Sequence, residues 1–282
     1  METVYRVMDA LLPFACFRYT FMKNALLAML LLTPLLSLLG TMAVNQRMAF
    51  FSDALGHSAL AGVGLGLLLG VHDITVSLLI FGILWALMIS RINRSGSASA
   101  DTIISVFSST GIALGLLILS RGGGFSNYSS LLTGDILSIG REDLVWLLVA
   151  LIAGLGVWVL LYNRLLLTAV SPELARSRGV RTALIEYAFV CLVAVAVMLA
   201  IRWVGVLLIN ALLILPAAAA RNVSRSSAQN ALLAVIFGLV SGVVGLVLAY
   251  QLDTGVGAAV VLCAAVLYFV SLPVRRWMKA KG

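Results

Sequence analysis

The chain has 282 residues, 62% of them hydrophobic and only 11% charged, with a mean hydropathy of +1.12. That balance, together with repeated apolar runs of about 20 residues, excludes an ordinary soluble domain and indicates a single polytopic membrane domain. The net charge of +8 sits mostly in short loops and at the C-terminus. This is the pattern of a positive-inside bias, and no basic-aromatic groove accompanies it to suggest nucleic-acid binding.

In residues 1–24, Tyr5, Phe14, Phe17, Tyr19 and Phe21 interleave with Arg6, Arg18 and Lys23, which predicts an interfacial segment lying along the bilayer. No basic n-region or Ala-x-Ala site precedes a short apolar stretch, so no cleaved signal peptide is expected. Spans are predicted at about 25–44, 48–70, 73–90, 102–120, 142–162, 182–201, 203–220, 228–250 and 255–272. The expected fold class is therefore all-α: a polytopic helical membrane domain over 25–272 with about nine spans, within a range of eight to ten, and a basic tail at 273–282. With nine spans, Arg47, Arg91 and Arg94, Arg164 to Arg181, Arg221 and Arg225, and the tail's Arg275, Arg276, Lys279 and Lys281 share one side. That side is expected to be cytoplasmic and the N-terminus outside, in a bacterial inner membrane.

Clusters of small residues (Gly62, Gly64, Gly66 and Gly70; Gly111 and Gly115; Gly238, Gly242 and Gly245) are expected to be helix-packing faces. Cys16, Cys191 and Cys263 lack metal-site or disulfide spacing and are expected to pack as small apolar residues. No Gly-x-x-x-x-Gly-Lys-Ser/Thr is present, and none of the three lysines (Lys23, Lys279, Lys281) follows a glycine-rich loop, so the chain is not expected to hydrolyse ATP itself. With two histidines and no His-Glu-x-x-His, a zinc hydrolase is not expected either.

Two stretches carry chemistry. In the second span, Asp53 and His57 stand four residues apart, which puts them on one helix face about 6 Å apart at Cβ. With a helix start near Met48, they lie roughly 8 and 14 Å along it, too deep for His57 to be a cap. Ionisable groups at such depth usually line a pathway, although a capping and packing role is the simpler alternative. One carboxylate and one imidazole fall short of four tetrahedral ligands; a two-fold homodimer would supply two of each. The second stretch, Ser171-Pro172-Glu173-Leu174-Ala175-Arg176-Ser177-Arg178-Gly179, has the N-cap, N1 proline, first-turn acid, last-turn arginine and terminal glycine of a short helix. A two-turn helix is marginal alone, so one capped this fully suggests a docking element.

Weaker features remain. Asn210 is interhelical glue or path lining, and Pro216, which frees the Leu212 carbonyl, is a candidate hinge. His72-Asp73 is either an outer access point or ordinary surface. Glu186 is expected to pair with Arg181 or Arg178.

The run from Ser52 to Gly62, Ser-Asp-Ala-Leu-x-His-Ser-x-Leu-x-Gly, resembles the signature of membrane permease subunits of zinc/manganese/iron ABC importers. Thr133 to Leu137, Ser171 to Ala175, Leu212 to Ala220 and Val261 to Cys263 resemble later blocks of that family, in family order. The resemblance implies a homodimeric permease that receives metal from a periplasmic or surface binding protein. It implies cytoplasmic ATPase subunits that dock on the loop helix and use the ATP, and no permanently bound cofactor. Asp53 and His57 match the acid and histidine assigned to the translocation path, with Zn2+ expected ahead of Mn2+ or Fe2+. A stand-alone ion-coupled carrier and a structural membrane protein are the alternatives of other classes.

Overall fold

The computed structural model describes Tyr5 and residues 19–71, 73–96, 98–121 and 134–280. The first long helix, α1, runs Thr20–Asn45, followed by α2 (Phe51–Leu68), α3 (Ile74–Arg94), α4 (Ala100–Arg121), α5 (Arg141–Val170), the short α6 (Pro172–Ser177), α7 (Thr182–Val223), α8 (Ser227–Leu252) and α9 (Val256–Ala280). A single 3-10 turn, Ile136–Ser138, precedes α5. No strand occurs among the described residues. The all-α membrane fold read from the sequence is the one observed.

Seven of these helices are long and apolar enough to cross a membrane. One of them, α7, has 42 residues, about 63 Å if straight, twice the thickness of a hydrocarbon core. It is not straight. Gly205 has φ 78° and ψ 163°, a conformation open essentially to glycine alone, and the helix reverses there. The arm before Gly205 runs antiparallel to α3, with Arg202 bonded to Thr75 at one end and Glu186 to Ser90 at the other. The arm after it runs parallel to α1, where Leu212 meets Ser37 and Arg221 meets Val44. With α7 counted as two arms and the 18-residue α2 added, the described chain makes nine passes.

The predicted ends shift at several places. The chain turns helical at Thr20, so the end of the expected interfacial segment already belongs to α1; most of that segment lies outside the described residues. Tyr5 is described, and its hydroxyl donates to Asn24 Oδ1 at 2.6 Å at the head of α1. α5 runs past the expected Tyr162 to Val170. The helix pairs α2 and α4 pack through small residues: a Cβ on Gly111 or Gly115 would press on Ser58 or Leu60. Gly70 is different; it takes φ 72° just past α2, where a Cβ would meet no neighbour, and its N–H closes on the Leu67 carbonyl, so it ends the helix.

Glu186 does not pair as expected. It accepts from Arg94 at 2.7 Å and Ser90 at 3.1 Å, tying the end of α3 to the start of α7. Arg178 and Arg181 lie on the connection between α6 and α7 without an acidic partner among the described residues.

Candidate metal path and docking helix

α2 begins at Phe51, three residues later than the expected Met48, after a turn through Arg47. Asp53 therefore lies in the first helical turn, where a negative charge suits the helix dipole, yet it caps nothing; the N-cap position is Phe50. The simple capping role is excluded for both Ser52 and Asp53. The carboxylate turns sideways instead. Its Oδ1 lies 3.4 Å from His57 Nε2 and accepts a 2.8 Å bond from Asn210 Nδ2 on the second arm of α7. The i, i+4 spacing has done what helical geometry predicts.

From Phe51 to Gly64, every residue of α2 is buried except Asp53 and His57. Their side chains keep 42% and 39% of their surface exposed. The burial follows from small residues: Gly56 lets Val206 approach, and Ser58 and Ala61 sit under the glycines of α4. The one accessible strip on this part of α2 is thus an acid and an imidazole. Asn210 belongs to a matching, partly open strip on α7, Leu207–Asn210–Ile214–Ala218.

The site lies where α2 meets the second arm of α7, on a face left partly open. Asn210 is half a turn from Leu212, whose carbonyl accepts from Ser37 in the second half of α1 at 3.3 Å. That carbonyl is the one Pro216 leaves without its helical donor, and Ser37 satisfies it. Pro216 is buried and helical; the discontinuity in α7 is at Gly205. The turn at Gly205 is covered by Gly134, whose φ of 70° and missing Cβ let it sit on the Val204 carbonyl. Thr133, beside it, is outside the described residues.

Asn210 presents its amide N–H to Asp53, which leaves its Oδ1 buried without a donor. Among the described residues, no three His, Cys, Asp or Glu side chains gather at one point. One chain therefore offers one carboxylate and one imidazole, held by an amide. His72 is outside the described residues, while Asp73 is the N-cap of α3, accepting from Thr75 and Val76 backbone N–H groups at 2.8 and 3.4 Å. The Thr75 bond is the main cause holding the Asp73 carboxyl below its usual range.

The second predicted element forms as expected. Ser171 Oγ accepts from Leu174 N at 3.2 Å, Pro172 is the first residue of α6, and Gly179 takes φ 74° beyond its end. Gly179 and Val180 N–H groups close on the Arg176 and Ala175 carbonyls. Ala175 is buried, whereas Pro172, Glu173, Leu174, Arg176 and Arg178 face outward. Helix α6 thus stands on the arginine-rich face as a capped, outward-facing knob between α5 and α7.

The sequence does not foretell that Asn210 reaches Asp53, 157 positions earlier. The break between the predicted spans 182–201 and 203–220 anticipates the reversal, but the sequence does not single out Gly205, inside the second of them, as the residue that turns. Trp203 donates to Asp143 at the head of α5 at 2.9 Å.

Comparison with known proteins places this arrangement. The model of the ABC 3 transport family matches residues 18–275. The chain is 32% identical over 252 residues to the "High-affinity zinc uptake system membrane protein ZnuB" of Haemophilus influenzae, covering 88% of this chain and 95% of that protein. It is 30% identical over 259 residues to the "Manganese import system permease protein ScaB" of Streptococcus parasanguinis, covering 90% of each. Among solved structures, "PsaBC from Streptococcus pneumoniae in complex with Fab" superposes with a TM-score of 0.81 at 27% identity over the full length of both chains. The chain belongs to the ABC 3 transport family, among the permeases of metal ABC importers.

Proposed function

We propose that this chain is the membrane permease of an ATP-driven importer of a divalent transition metal, and that Asp53 and His57 form its transient metal site. One observation carries the proposal: between Phe51 and Gly64, only these two side chains reach the surface of a helix that is otherwise buried. Turned to hydrocarbon, that face would be costly; turned to a polar path or to a second copy, it is a ligand pair. A homodimer with its two-fold axis beside this face brings two carboxylates and two imidazoles together. The Asn210 bond fixes the carboxylate for that role.

The arginine-rich face is the cytoplasmic one in this reading, with the C-terminus inside and the N-terminus outside. A separate ATPase subunit docks on α6 and consumes the ATP, and a solute-binding protein delivers metal from the other side. Zinc is the first cargo to test, because ZnuB of Haemophilus influenzae is a zinc uptake protein by its name. ScaB is a manganese permease by its name, and one carboxylate–imidazole pair accommodates either ion.

The test is metal uptake by proteoliposomes holding the permease, its ATPase and its binding protein. The Asp53→Ala, His57→Ala double variant is expected to lose uptake while still assembling with the ATPase. Uptake at the parental rate by that variant overturns the site. Uptake by the permease alone, without ATPase, overturns the ABC reading in favour of a secondary carrier.

A further inference from the structure

The arginines that failed to find Glu186 define a second feature. Arg164, near the end of α5, and Arg178 and Arg181, before α7, line a groove of about 530 Å³. Its other wall is apolar: Leu167, Leu184 and Ile185. None of the three arginines has an acidic partner among the described residues, and no acidic residue lines the groove. Glu186, the acid nearest Arg181 in sequence, is already bound by Arg94 and Ser90, and Glu173, the acid nearest Arg164 and Arg178, is exposed on α6 and pairs with none of the three.

The apolar wall continues out of the groove. Leu184, one turn into α7, is 55% exposed, and Leu160, one turn before Arg164 on the same side of α5, is 77% exposed. Both lie where a nine-pass bundle meets acyl chains, while Arg164 lies one turn nearer the cytoplasmic surface. Three cations at the head of an apolar strip match a phosphate attached to hydrocarbon; a free phosphate leaves that strip unused.

We propose that this groove binds the headgroup of an anionic phospholipid of the cytoplasmic leaflet, its phosphate among Arg164, Arg178 and Arg181 and an acyl chain along Leu184 and Leu160. Arginine suits the role because its planar fork takes phosphate oxygens in pairs. The consequence is local. Arg178 closes the docking helix, so the lipid neutralises like charges at the base of α6 and holds that helix against α5 and α7.

The experiment uses the full chain purified in detergent and exposed to mixed micelles of phosphatidylglycerol and phosphatidylcholine, with retained lipid counted by native mass spectrometry. Each arginine beside an anionic headgroup is worth about five-fold, so three predict roughly 100-fold enrichment of phosphatidylglycerol. An Arg164→Gln, Arg181→Gln variant is expected to drop that preference to roughly five-fold. An Arg164→Lys, Arg181→Lys variant, which keeps the charge, is expected to retain most of it and serves as the control for folding. Unchanged enrichment in the glutamine variant overturns the proposal. Displacement of the lipid by millimolar inorganic phosphate alone overturns it in favour of a free-anion site. Loss of ATPase co-purification by the glutamine variant, with lipid retention intact, overturns it in favour of a subunit contact.

Discussion

Replacing Asn210 by alanine separates site geometry from fold. The Asn210 Nδ2 to Asp53 Oδ1 bond is 2.8 Å long and has a carboxylate acceptor; such bonds contribute about 1.5–3 kcal/mol. The usual complication of a truncation is a partner left orphaned in the interior. Here that cost is small, because Asp53 is 42% exposed and retains water and His57 as partners, and because Asn210 Oδ1 is already without a donor. The lost bond therefore falls on the orientation of Asp53 and not on stability. Converted at 1.4 kcal/mol per decade, it predicts a 10- to 100-fold rise in the metal concentration for half-maximal uptake, matching the usual effect of removing an outer partner of a metal ligand. The maximal rate should change little. The assay is the initial rate of zinc and manganese uptake by reconstituted importer as metal is varied, with the melting midpoint of the purified variant as a check. Asn210→Asp, which places a second carboxylate against the first, should also impair the site. An Asn210→Ala protein that assembles normally and shows half-saturation within two-fold of the parent refutes the reasoning.

Other outcomes follow from the same contacts. Gly205→Ala forces an alanine into φ 78°, ψ 163°, which costs about 1–3 kcal/mol, and it should lower the thermal midpoint of the detergent-purified chain. Gly40→Ala should cost at least about as much, since the new methyl would land on the Leu213 carbonyl where α1 crosses α7, and backbone cannot step aside as a side chain can. Ser171→Ala removes the only side-chain cap of α6, worth about 1 kcal/mol on a two-turn helix. Its ATPase should co-purify in reduced amount while zinc binding to the permease stays at the parental level; unchanged co-purification counts against α6 as the docking element.

Much of the fold is legible in the sequence because lipid leaves few choices: long apolar runs must be helices, and each of the nine predicted spans is helical here, two of them as the arms of α7. The cap residues of α6 specify its ends almost to the residue, since Ser171, Pro172 and Gly179 each act within one turn. The pair Asp53 and His57 is legible for the same reason, as i and i+4 on one helix fix their own geometry. What the sequence conceals is long-range. Glu186 chooses Arg94, 92 positions away, over the arginines close to it in sequence, because the start of α7 packs on the end of α3. The site's third member, Asn210, depends on where α7 turns back. That turn rests on one glycine in an apolar run and on Gly134 seated against it.

The number of donors bears on how the site can act. A site that holds a metal permanently closes its coordination shell; a site that passes metal on needs a shell that can open. One copy of this chain presents one carboxylate oxygen donor and one imidazole nitrogen at the Asp53–His57 face, and no third acid, histidine or cysteine joins them among the described residues. Asn210 spends its N–H on Asp53, and its oxygen is buried away from solvent. Two ligands give weak, rapidly exchanging binding; two copies facing each other give four, in a shell that separates when the copies do. In the proposed homodimer, opening and closing of the two copies would set affinity. The stoichiometry is the test: equilibrium dialysis of the purified assembly with zinc is expected to give one ion per two chains, abolished by His57→Ala in both. One tightly held ion per chain, surviving dilution to monomer, would refute the shared site and require a complete ligand set within a single copy.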